Sequence, residues 1–148
     1  MWIGLLFVVA AESACGGEKL TGPDQAQQKQ SKSGPITDYP SLIDKLRAAG
    51  VSVDPAGEVE QPFLSVTGKM IKLYDEDVQV FQYSSAAQME AQAALISRDG
   101  TAVGTRKIHW IGSPHFYKQG RVLVLYVGQD TKVEKALEAV LGRQFAGQ

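Results

Sequence analysis

Apolar residues recur along this chain with two different periods, and the alternation between them lays out the elements. Between residues 38 and 49, Leu42, Ile43, Leu46 and Ala49 fall on one stripe, the spacing that gives a helix a buried face. Asp38 suits the N-cap, Pro40 sits in the first turn where its missing N–H costs nothing, and Gly50 stops the helix. Near the C-terminus Val133, Ala136, Leu137, Val140 and Leu141 repeat at helical spacing between Asp130 as cap and Gly142 as stop. A third, alanine-rich helix is expected over residues 86–97, because Ser85 followed by Gln88 is a capping-box pattern and residues 98–100 break the run.

The remaining apolar runs read as strands. Residues 51–53, 63–66, 69–74 and 78–83 are strand-like, with DPAG (54–57) and DED (75–77) as turns and Gly68 as a bend or bulge. A second hairpin is expected from residues 106–111 and 121–128, joined by the turn region SPHFYKQG. RVLVLYVG (121–128) is the most uniformly apolar segment, which predicts a central strand with both faces covered or nearly so. The order is α-β-β-β-α-β-β-α. Hairpin connections then predict an α+β, two-layer domain with a mainly antiparallel sheet of about four to five strands and the helices packed on one face. Helix followed by hairpin occurs in both halves, with no sequence identity between them.

The N-terminal quarter has neither period. Residues 2–11 are an apolar run, the length of a signal-peptide core and too short to span a bilayer as a helix. Ser13, Ala14 and Cys15 end it. This resembles the lipobox of bacterial lipoproteins, which implies a lipid on Cys15 and removal of the peptide before it. Two positions depart from that pattern: Glu12 stands where the motif has an aliphatic residue, and no Lys or Arg precedes Cys15. A start upstream of Met1 would account for the second. Residues 16–37, GGEKLTGPDQAQQKQSKSGPIT, are polar and aperiodic, which predicts a disordered tether. The expected organisation is a signal peptide and lipobox over 1–15, the tether over 16–37 and a single globular domain over 38–148.

Composition narrows the function by exclusion. Hydrophobic residues at 44% and charged residues at 21% are those of a globular protein. Fifteen basic against sixteen acidic residues leave a formal net charge of -1, which makes no electrostatic case for nucleic acid. Cys15 is the only cysteine, so neither an internal disulfide nor a cysteine-based zinc site can form.

Candidate chemistry is sparse. His109 and His115 are six residues apart, about 20 Å along an extended strand, with no third ligand near in sequence. YDEDVQV lacks the spacing of a calcium loop, and GTAVGTRK lacks that of a phosphate loop. No serine lies in a G-x-S-x-G setting, and Cys15 has no positive neighbour that would make it a nucleophile. No catalytic residue, metal or cofactor is expected. One stretch is richer: HWIGSPHFYKQGR places Trp110, His115, Phe116, Tyr117, Lys118 and Arg121 around an expected hairpin turn, a candidate interaction surface of aromatics and cations. The alternative is that Trp110 and Phe116 pack beneath the hairpin while Tyr117, Lys118 and Arg121 face solvent.

The segments GEVEQPFLSV, VQVFQY, SPHFYKQGRVLVLYVG and LEAVLGRQFAG resemble a small domain of uncharacterised bacterial lipoproteins. The resemblance implies an extracytoplasmic, membrane-anchored protein of the cell envelope and brings no catalytic residues. The expected function is a non-enzymatic binding or interaction domain, held at the membrane through a lipid on Cys15 and facing an unknown protein or small-molecule partner. Two rivals stand beside it. One is a hydrolase-like envelope enzyme, which predicts a cleft gathering His115 or His109 with Glu58, Glu60 or Asp77; the other is a structural envelope protein.

Overall fold

The structure, a computed structural model, describes residues 34–148. Cys15, the lipobox and most of the tether lie outside the described residues. Helix α1 (Tyr39–Ala48) starts where its sequence demands: the Asp38 carboxylate accepts from Ser41 N at 3.0 Å, and Ser41 Oγ accepts from Asp38 N at 3.0 Å. These two bonds satisfy donors that a helix start otherwise leaves orphaned. The Ser41 hydroxyl and amide, helped by Arg121, hold the Asp38 carboxyl below its usual 3.8. A depressed pKa means stability that is present above the usual value and lost as pH falls through the folded one. Asp38→Ala is therefore expected to cost about 1 kcal/mol at neutral pH. Urea midpoints measured across pH should show that difference shrinking as the solution is acidified below 3.8; a pH-independent difference would contradict it.

Six strands form one antiparallel sheet in the order β1-β2-β3-β7-β6-β8: β1 (Asp54–Val59), β2 (Gly68–Leu73), β3 (Glu76–Gln82), β6 (Pro114–Gln119), β7 (Val122–Val127) and β8 (Ala146–Gly147). A small separate hairpin joins β4 (Ala102–Val103) to β5 (Arg106–Lys107). Helices α2 (Ala86–Ala93) and α3 (Thr131–Leu141) start at Ser85 and Asp130, whose side chains accept from Gln88 N and Lys132 N. The α+β class, the mainly antiparallel sheet and the order α-β-β-β-α-β-β-α stand as expected.

The arrangement adds one layer to that expectation. Along β7, Val122, Val124 and Tyr126 face a core shared with Leu42 and Leu46 of α1 and Val133 and Leu137 of α3. Leu123 and Leu125 face a second core with Met89 and Ala93 of α2. Successive strand residues point to opposite faces, so the helices divide between the two faces of the sheet. That is why β7 is apolar throughout and reads as a central strand.

Several boundaries move. SPHFYKQG, read as a turn, is strand β6. Its mixed composition hides the assignment because it is paired on both sides and buries His115, Phe116 and Tyr117 in alternation. The turn itself is Gly120 and Arg121, with Gln119 opposite Val122. DPAG, also read as a turn, belongs to edge strand β1, where a bulge between Pro55 and Gly57 and a free edge accommodate the proline. Residues 63–66 form turns rather than a strand, and Gly68 pairs regularly with no bulge beside it. Between β2 and β3 the turn is Tyr74 and Asp75, with φ of 52° and 69°, so Glu76 and Asp77 already pair with Leu73 and Lys72.

The tether was expected to run to residue 37, but Ile36 is 2% exposed and joins the α1–α3 core. Thr37 O accepts from Arg121 N at 3.2 Å, which binds this segment to the β6–β7 turn. Burying this isoleucine contributes about 1.5–3 kcal/mol toward holding the segment in place. Among the described residues, no helix is long and apolar enough to cross a membrane.

Candidate functional site

The six residues of the aromatic stretch do not form one surface, because β6 is a strand and deals its side chains to alternate faces. Phe116 is fully buried against the α2 face, and Trp110 meets it edge-on at 5.9 Å. Trp110 is further held by Phe63 at 5.6 Å and by an Nε1–H bond to Gly100 O at 2.7 Å. Lys118 is also on this side, where it pairs with Glu90 of α2 and lies 5.1 Å over the Phe145 ring. His115 and Tyr117 point the other way, toward α3, and Tyr117 is only 2% exposed. Arg121 is in the turn, 3.5 Å from Asp38. Packing beneath the hairpin thus describes Trp110 and Phe116, while Tyr117, expected at the surface, is core.

His115 carries the strongest chemistry in the set and spends it internally. Its Nδ1 lies 2.6 Å from Gln144 Oε1, and its Nε2 lies 3.2 Å from Gly128 O. Glu134 Oε1 stands 3.6 Å from Nε2, and the ring stacks on Tyr126 with centroids 5.7 Å apart. The imidazole therefore ties β6 to the β7–α3 turn and to the C-terminal segment. Both ring nitrogens are engaged by protein oxygens, and the ring also lines an opening beside β6. The carboxylate beside it is Glu134, rather than Glu58, Glu60 or Asp77. His109 is exposed on the loop that precedes β6, apart from His115. Among the described residues no three His, Cys, Asp or Glu side chains converge as a metal site would require.

Two openings flank β6. The first, about 370 Å³, lies over Tyr117 and is lined by His115, Glu134, Glu138, Arg143, Gln144 and Gln148. Burial pushes the Tyr117 phenol up to about 12, and the negative charges of Glu134 and Glu138 act in the same direction. The second, about 430 Å³, is an open groove along the loop 108–113, lined by Ile108, His109, Trp110 and Ile111. Ile111 is fully exposed beside the pinned Trp110. Sequence reading passes over Ile111 because an isolated isoleucine in a short apolar run looks like a strand residue. Glu134 and Glu138 are visible as an i, i+4 pair, but nothing in the sequence tells that Arg143 returns across them.

Comparison with protein families, with curated proteins and with solved structures finds no match to this chain.

Proposed function

We propose that this chain is a lipid-anchored, extracytoplasmic protein of the bacterial cell envelope whose globular part is a non-enzymatic binding domain. The anchor rests on the sequence alone: an apolar run that ends at Ser13, Ala14 and Cys15, then a polar segment. The binding role rests on one observation. Ile111 projects its whole side chain into solvent from a loop whose neighbour, Trp110, is fixed by a hydrogen bond and two edge-on aromatic contacts. An apolar group displayed on a pinned loop has little conformational freedom left to lose on binding. The internal engagement of both His115 nitrogens favours this reading over a hydrolase-like enzyme.

Metabolic labelling with palmitate in the native host tests the anchor. The unmutated protein should take up label and Cys15→Ser should not; an unlabelled parent protein refutes the anchor. Crosslinking in native membranes tests the loop. Ile111→Asp should leave the melting temperature unchanged, since Ile111 is not buried, and should remove a crosslinked species that Lys45→Asp retains. An identical crosslinking pattern in both variants would overturn the role of the loop.

A further inference from the structure

The cleft over Tyr117 holds charges that the fold does not consume. Glu134 and Glu138, one turn apart on α3, line it from one side. Gly142, at φ 84°, ends α3 outside the helical conformation, and the chain leads Arg143 and Gln144 into the lining of the same opening. Glu134 has the His115 ring as its neighbour, but Glu138 and Arg143 form no ion pair among the described residues, with each other or with any other side chain. Opposite charges that line one cleft without closing on each other leave it with a negative and a positive side. The floor between them is Tyr117, almost wholly buried and protonated throughout the neutral range.

We propose that this cleft binds a short zwitterion, with its ammonium group toward Glu138 and Glu134 and its carboxylate on Arg143. A guanidinium fork matches a carboxylate in two parallel hydrogen bonds, and charge-assisted bonds are about twice as strong as neutral ones. A molecule with a single charge satisfies one side and leaves the other solvated, so two charges on one short linker are what the cleft selects. The site does not depend on the Ile111 loop.

Calorimetric titration of the full chain in detergent micelles, with L-alanine, dialanine, ethylamine and acetate as probes, tests this. At least one zwitterion should bind about tenfold or more tighter than either single-charge probe. Binding by L-alanine alone points to a free amino acid, and binding by dialanine alone to a peptide. Arg143→Gln should weaken the zwitterion about tenfold and bring it level with ethylamine; Glu138→Gln should weaken it similarly. Both side chains are exposed, so circular dichroism should show each variant folded. Equal binding of ethylamine or acetate, no binding of either zwitterion to the parent protein, or unchanged binding by Arg143→Gln would each overturn the proposal.

Discussion

Replacing Phe81 by alanine should remove about 3–5 kcal/mol of folding free energy. Phe81 is fully buried on the face of β3 that α2 covers. Its ring lies on Gly68 of β2, where an added Cβ would come within 2.6 Å of a ring carbon. The glycine is thus a seat for the ring and itself offers no side chain to fill the space that truncation leaves. Small domains are stable by only about 5–15 kcal/mol, so a large part of the total would go. Urea unfolding should give a lower midpoint with an unchanged slope. A loss below about 1 kcal/mol would mean that this face collapses around the cavity, contrary to the packing described.

The second large effect is expected at Gly120→Ala. Gly120 has φ of 59°, and an added Cβ would lie 2.5 Å from Ile36 O and 2.8 Å from Thr37 Cα. Both are backbone atoms, so relief requires the segment before α1 to move and Ile36 to leave the core. Gly104 supplies the control: its φ is also 59°, but nothing lies within 4 Å of its Cβ position. Gly104→Ala therefore carries only the conformational penalty of about 1–2 kcal/mol. Gly120→Ala should cost about 2 kcal/mol more than that, through the lost burial of Ile36. Equal losses at the two glycines would show that residues 36 and 37 are not fastened to the turn.

What the sequence made legible was whatever a local rule could carry. The helices were readable because caps and stripes are local: Asp38, Ser85 and Asp130 each accept from a backbone N–H two or three residues on. β7 was readable because burial on both faces leaves an uninterrupted apolar run. Its neighbour β6 escaped because its buried positions include His115, whose polarity is satisfied only by Gly128 and Gln144, far along the chain. Edge strand β1 escaped for the reverse reason, since its residues are mostly exposed and no period survives. Division of the helices between two faces depends on which parity of the sheet each one covers, and hydrophobic periodicity within one helix does not encode that. The same holds for the cleft: Tyr117, Glu138 and Arg143 meet only after α3 crosses β6 and the chain turns at Gly142.

The fastening of Ile36 to the β6–β7 turn also gives the domain a direction. Residues 120–121 lie at one end of β6, and the loop that displays Ile111 lies just before its other end. A six-residue strand separates those ends by about 17 Å. Whatever precedes Gly34 therefore joins the domain at the turn end. The buried isoleucine fixes where that entry point lies, because its side chain sits in the α1–α3 core beside the turn. Loosening it, as Gly120→Ala would, should free residues 36 and 37 from the turn without altering the Ile111 loop at the far end of β6.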